Sequence, residues 1–254
     1  MSRSPLFYLL CLATGVGFVV APYLVFFVAP LEPTMGLIQK VFYFHVPCAW
    51  AMFLGALLAG VAGARYLFSR GQRGEALGSA GAELAVLFGL LVLITGPLWA
   101  KVAWGHYWVW DVRLTTMLLL FLIFVAVLLA RRYSGPRSKQ IAAALALFGA
   151  ADVPLIYISV RIWNTIHPKT SVVPGLTGTM RLAFFVSLAA FTLLFALLLW
   201  LRLSVEHSRS ALERLLVAAE EEDRDAPMSG QSTGRIFVPM PRAAPPLRAP
   251  RSNP

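Results

Sequence analysis

Five stretches of this chain carry no charged side chain: between Arg3 and Glu32, Lys40 and Arg65, Glu83 and Lys101, Arg113 and Arg131, and Arg181 and Arg202. Crossing the hydrocarbon layer takes about 17–25 apolar residues in a helix, and all five gaps are at or near that length. A sixth stretch, Ile141 to Val160, is interrupted only by Asp152 and Pro154. The pattern predicts an all-α membrane protein with six transmembrane helices, over approximately 6–29, 41–64, 83–102, 113–131, 141–161 and 181–201. With 58% hydrophobic and 13% charged residues, a soluble domain could not cover such a core. The first run follows Arg3, as in a signal peptide. It is too long for that, and no small-residue cleavage site ends it.

The net charge of +10 does not point to nucleic acid, because its distribution is topological. With the N-terminus inside, Arg65, Arg70, Arg73, Arg131, Arg132, Arg137, Lys139, Arg202, Arg209 and Arg214 all fall on the inner side. The outer segments, 30–44, 103–112 and 162–180, hold only Lys40, Lys101, Arg113, Arg161, Lys169 and Arg181. Excess Lys and Arg on cytoplasmic loops sets orientation in most multi-pass proteins. The inward segments are expected as short basic loops around 65–82 and 132–140. Cys11 and Cys48 lie at opposite depths and outside any C-x-x-C motif, so both read as small apolar fillers. The domain organisation expected is a membrane domain over 1–202, an amphipathic helix over 203–222 on the inner surface or against a partner, and a disordered Pro- and Arg-rich tail over 223–254.

The outer segments hold the unusual residues. Pro97 to Thr116 reads PLWAKVAWGHYWVWDVRLTT, with Trp99, Trp104, Trp108 and Trp110 closed by Asp111. Trp50 and Trp163 also sit at outer ends, leaving only Trp200 of the seven tryptophans at the inner boundary. An aromatic belt populates both interfaces, so this asymmetry calls for another explanation. If 104–111 is helical, Trp104, Trp108 and Asp111 share one face. A wall of indoles with one carboxylate suits a large planar apolar ligand, and Gly105 would let that ligand or another backbone approach closely.

Two histidines fall on the same side: His45 in FYFHVPCAW, where Pro47 suits the first turn of a helix, and His167 in RIWNTIHPKT. Imidazole is a natural axial ligand of haem iron, and this pair flanking the indoles reads as a bis-histidine site. His106 competes from within the Trp loop, while His207 is on the wrong side. Arg113, Arg161 and Lys101 suit haem propionates, or snorkel to the headgroups. Asp152 is the one acidic residue deep in a span, beside Pro154, and is protonated, bonded to a neighbouring helix or part of a partner contact. No residue stands out as a nucleophile or general base, so a presenting subunit is expected rather than an enzyme. Two rivals stay open: a b-type electron-transfer cytochrome or anchor subunit, and a small-solute transporter gated at Asp152.

At Trp104, Gly105, Trp108, Trp110 and Asp111 the chain matches the pattern W-G-x-x-W-x-W-D. It thereby resembles the tryptophan-rich haem-handling membrane proteins of cytochrome c biogenesis. Within them it is most similar to the haem exporter protein C family. HVP at His45 to Pro47, DVP at Asp152 to Pro154 and WNT-x-H at Trp163 to His167 fit as well, over about residues 5–200. The resemblance implies transient, non-covalent (b-type) haem with His45 and His167 as axial ligands. Trp104, Gly105, Trp108, Trp110, Asp111 and Arg113 would stand around it. It implies a place in the bacterial inner membrane with cytoplasmic termini and a periplasmic haem site. The partners implied are a membrane-anchored haem chaperone, an ABC-type ATPase with its membrane subunit, and a small helper protein.

Overall fold

The computed structural model describes residues 4–69, 74–163, 165–167, 172–176 and 178–225. Arg3, Arg70, Arg73, Asn164, Lys169 and the tail from Ala226 lie outside the described residues. Six helices are long and apolar enough to cross a membrane, as the charge-free stretches predict. The helices are α1 (Pro5–Tyr23, continued by a π-helix over Leu24–Val28), α2 (Phe42–Ser69, preceded by a 3-10 helix over Leu37–Val41), α3 (Glu75–Trp104), α4 (Val112–Tyr133), α5 (Ser138–Ile162), a single turn α6 (Val172–Gly175), and α7 (Gly178–Asp225). The chain divides into two compact units at Ser210/Ala211, and Leu203–Glu222, expected to be helical, lies within α7.

One boundary expectation needs correction. Most of 65–82, expected as an inward loop, is helical, with α2 ending at Ser69 and α3 starting at Glu75. A charged residue marks where a helix leaves the hydrocarbon, and the helix itself runs on past it. Several of the charges there are also paired. Arg131 and Lys139 contact the Glu75 carboxylate at 3.3 and 2.8 Å. Arg202 grips Glu83 with two N–H groups at 2.6 and 2.9 Å, tying α7 to α3.

The middle of the membrane unit is built on small residues. An added Cβ at Gly55 would sit 2.7 Å from the Gly81 carbonyl oxygen and 2.8 Å from the Ala85 nitrogen. One at Gly81 would meet the Gly55 oxygen at 2.9 Å and the Ala59 nitrogen at 3.0 Å. Gly55-x-x-x-Ala59 on α2 therefore lies against Gly81-x-x-x-Ala85 on α3, backbone on backbone. In lipid, where burial gives no drive between helices, such close approach and its dispersion energy hold them together. Another edge of α2 meets α5 in the same way, with Gly63 against the Ala143 backbone. Helices α1 and α7 attach through larger groups, including Phe18–Phe191 at 5.1 Å and Phe7–Trp200 at 6.1 Å between ring centroids. The other face of α1, with Leu9, Leu12, Val16 and Val19, is exposed and apolar, as a lipid-facing helix requires.

Lys40, expected as a free basic residue of an outer segment, is buried at 3% exposure. Its Nζ donates to the carbonyl oxygens of Val25 and Ala29, at the end of α1 where Pro22 is followed by the π-turn. Carbonyls left over at a helix C-terminus carry partial negative charge, and a cation there offsets it. That contact anchors the end of the first span beside the start of α2, which carries His45.

Candidate functional site

Helix α2 begins at Phe42, so His45 stands in its first turn, while Pro47 falls just beyond that turn, inside the helix. The missing N–H of Pro47 leaves the Tyr43 carbonyl without its helical donor, a local loosening beside the histidine. His45 is half-buried, and its Nδ1 lies 2.8 Å from the Thr95 hydroxyl oxygen of α3. The next residue, Gly96, leaves room for the ring: a Cβ there would be 3.2 Å from His45 Cε1. His167 and Arg113 are close enough to act electrostatically on His45. Residues 122 and 68 positions apart in sequence are thus gathered at one end of the bundle.

The Trp loop differs from its expected form. Helix α3 ends at Trp104, and Gly105 takes the left-handed conformation (φ 79°), its N–H bonding the Lys101 carbonyl at 3.1 Å. Residues 105–111 are not helical, so Trp104, Trp108 and Asp111 do not share a helical face. No protein atom lies within 4 Å of where a Gly105 Cβ would be. The glycine serves the left-handed turn, and no other backbone approaches it. The loop leans back on α3 through Lys101, whose Nζ donates to the Gly105 carbonyl at 3.0 Å and lies 5.2 Å from the Tyr107 ring centre.

The indoles do not form one flat wall. Trp104 stands edge-on to Trp99 at 5.0 Å (86°) and also contacts His167 at 6.4 Å (68°). Trp108 and Trp110 make a separate edge-on pair at 5.7 Å (77°). Edge-to-face contact is the arrangement the ring quadrupoles favour. Trp110 is 75% exposed, whereas Trp108 Nε1 is shielded from solvent and has no acceptor among the described residues. A buried N–H without an acceptor costs on the order of 1–3 kcal/mol, so a ligand or partner oxygen there would be favoured.

Asp111 organises the loop. One carboxylate oxygen caps α4 by accepting from Leu114 N at 2.8 Å, and the other accepts from Ile166 N at 3.2 Å. The residue before His167 is therefore pinned to the start of α4, and the histidine is held beside Trp104. Asp111→Ala removes both bonds, and loss of the cap alone costs about 0.5–2 kcal/mol. Asp111→Asn keeps one acceptor oxygen and can serve only one of the two amides. By hydrogen-exchange mass spectrometry, peptides covering 163–167 are expected to exchange faster in both variants. Unchanged protection there would remove Asp111 as the tether.

The remaining basic and acidic candidates separate. Arg113 donates to the Ile156 carbonyl at 2.6 Å, which holds the guanidinium between α4 and α5 near His45. Arg161 packs over Tyr157 of its own helix, 5.2 Å from the ring centre. His106 is exposed, and His207 contacts the Leu203 carbonyl within α7. Asp152 is buried at 7% exposure, with one oxygen lacking a hydrogen-bond partner among the described residues. Thr95 and Gly96 went unmarked in the sequence, where they precede the Trp segment with nothing to link them to a histidine fifty residues away.

The donor set narrows what the site can hold. Among the described residues no three His, Cys, Asp or Glu side chains come together around a bare metal ion. Two imidazoles without a third protein donor suit a metal whose equatorial positions are already filled by a macrocycle. Indoles beside His167, an unsatisfied indole N–H and a nearby guanidinium suit the flat, carboxylate-bearing body of such a group. The residues present fit haem.

Comparison with known proteins agrees with this chemistry. The family model for heme exporter protein C matches residues 2–218. Heme exporter protein C of Bradyrhizobium diazoefficiens is 37% identical over 177 residues, 67% of each chain. A putative cytochrome c biosynthesis ccmC-like mitochondrial protein of Marchantia polymorpha is 33% identical over 60% of this chain and 65% of its own. Heme exporter protein C of Escherichia coli K12 is 32% identical over 62% of this chain and 67% of its own.

Proposed function

The chain belongs to the heme exporter protein C family, and we propose that it holds haem at the His45 end of the bundle and passes it to a membrane-anchored haem chaperone in c-type cytochrome biogenesis. The observation that carries this reading is the convergence of His45, His167 and Arg113 at one end of a multi-pass membrane protein, with Trp104 against His167. His45 and His167 would hold the iron from its two axial sides. Trp104, Trp108 and Trp110 would contact the porphyrin or the docked chaperone, and Arg113 and Trp108 Nε1 would face the propionates. When bound, haem supplies the vinyl group that the chaperone takes up covalently, and filled axial positions discourage oxygen chemistry. The protein's share is orientation and proximity.

Orientation follows from charge. The end opposite His45 carries Arg131, Arg132, Arg137, Lys139 and Arg202, so it faces the cytoplasm of a bacterial inner membrane, and the haem site faces the periplasm. The family setting adds an ABC-type ATPase, its membrane subunit and a small helper protein as partners. The amphipathic part of α7 and the Pro- and Arg-rich tail stand on the cytoplasmic side in this arrangement. An electron-transfer cytochrome is less well supported, because His167 lies beyond α5, outside the helices.

The test is co-expression with the chaperone, reading covalent haem on the chaperone after denaturing electrophoresis alongside haem content of this protein. Trp104→Ala and Trp108→Ala are each expected to lower chaperone loading by about tenfold or more, the loss of one to two favourable ring contacts being worth about 0.5–1.5 kcal/mol each. If both variants leave haem content and loading at wild-type levels, the indoles play no part in either step.

A further inference from the structure

The Thr95 hydroxyl has a single proton and two close neighbours. It lies 2.7 Å from the Leu91 carbonyl oxygen, one helical turn back on α3, and 2.8 Å from His45 Nδ1. The carbonyl oxygen can only accept. At 2.7 Å, two oxygens with no proton between them would repel, so the hydroxyl proton belongs on the Leu91 side. The Thr95 oxygen then turns a lone pair to His45, and Nδ1 must be the nitrogen that carries hydrogen. From this we infer that Thr95 is a positioning residue that sets the tautomer of His45, with the proton on Nδ1 and the Nε2 lone pair left for an axial metal ligand. Gly96 completes the seat, because its missing Cβ is what lets the ring lie at 3.2 Å from that position. The inference rests on His45 being a haem ligand. A histidine ligates through one ring nitrogen while the other, donating to a fixed oxygen, sets ring orientation and basicity.

The chemistry explains why a hydroxyl, and not merely a small side chain, stands at this position. A methyl group in its place fills the same volume but accepts no hydrogen bond. Imidazole would then be free to carry its proton on either nitrogen, and the tautomer with Nε2–H cannot ligate through that atom. Gly96 acts separately, by space alone. Gly96→Ala would press on Cε1 and rotate the ring without touching the tautomer preference.

The experiment uses the full-length protein in lipid nanodiscs, first without haem. Nitrogen-15 histidine spectra are recorded for wild type, Thr95→Val and Thr95→Ser, with His45→Ala used to identify the His45 signals. Wild type and Thr95→Ser are expected to show a protonated Nδ1 and an unprotonated Nε2, and Thr95→Val a mixture of both tautomers. A second arm titrates haem into each protein. Thr95→Val is expected to bind it about 10–100-fold more weakly, the usual loss when an outer-shell partner of a metal ligand is removed, and Thr95→Ser to restore binding. A wild-type His45 protonated on Nε2, or a Thr95→Val protein with wild-type spectra and affinity, overturns the role of Thr95. Haem binding that is unchanged in His45→Ala overturns the ligand reading instead. The haem-free spectra keep the two failures apart.

Discussion

Purified in detergent, the wild-type protein is expected to carry haem with a six-coordinate absorption spectrum, and His45→Ala and His167→Ala are each expected to lose it or change its ligation. Removing an outer-shell partner costs about 10–100-fold in metal affinity, so removing a ligand itself should cost on the order of a hundredfold or more. The two variants should not behave alike in other respects. His45 sits in the first turn of α2 with a fixed partner in Thr95, while His167 is held on a loop by its neighbour's bond to Asp111. Loss of His45 removes a ligand from a rigid seat, and loss of His167 removes one from a tethered loop that also touches Trp104. His106→Ala is the informative control, since that side chain is exposed and points to no partner in the site. It should purify with wild-type haem content. A wild type that carries no haem, even when purified with its chaperone, would remove the central proposal.

The second large effect concerns stability. Gly55→Val is expected to lower the thermal midpoint in detergent sharply and to weaken haem binding with it. Its Cβ would be 2.7 Å from a backbone oxygen and 2.8 Å from a backbone nitrogen of α3, and backbone cannot rotate away as a side chain can. Overpacking of this kind costs about 1–3 kcal/mol and sometimes more. The link to haem is geometric: α2 carries His45 and α3 carries Thr95, and the two meet at 2.8 Å. Forcing those helices apart lengthens the bond that orients the ring. Gly15→Ala provides the contrast, because nothing lies within 4 Å of its added Cβ, and it should melt like wild type or slightly higher. Equal melting of Gly55→Val and wild type would mean that α2 and α3 do not pack as closely as described.

Much of this was legible in the residues themselves. Missing charge over about 20 residues is a local property, and the number and rough extent of the spans follow from it, whatever the helices later touch. The run from Trp104 to Asp111 is likewise local, and it identified the family before any geometry was known. Charge alone was misleading for Lys40 and Arg202. Both look like free basic residues at a boundary, yet one caps buried carbonyls and the other grips Glu83. The helical face imagined through 104–111 failed for a reason written in the sequence, since Gly105 is the usual stop signal at a helix C-terminus.

What the sequence by itself determined is therefore the class of the protein, its number of spans and the end at which its unusual residues gather. Only the tertiary structure decided which of them meet: His45 with Thr95, Asp111 with Ile166, and the Gly55 stripe with the Gly81 stripe. In water an amphipathic pattern tells which face of a helix turns inward. In a membrane every face is apolar, so hydropathy says nothing about rotation, and small residues and a few hydrogen bonds choose it instead. Those choices join residues far apart in the chain, and they appear only when the helices are packed.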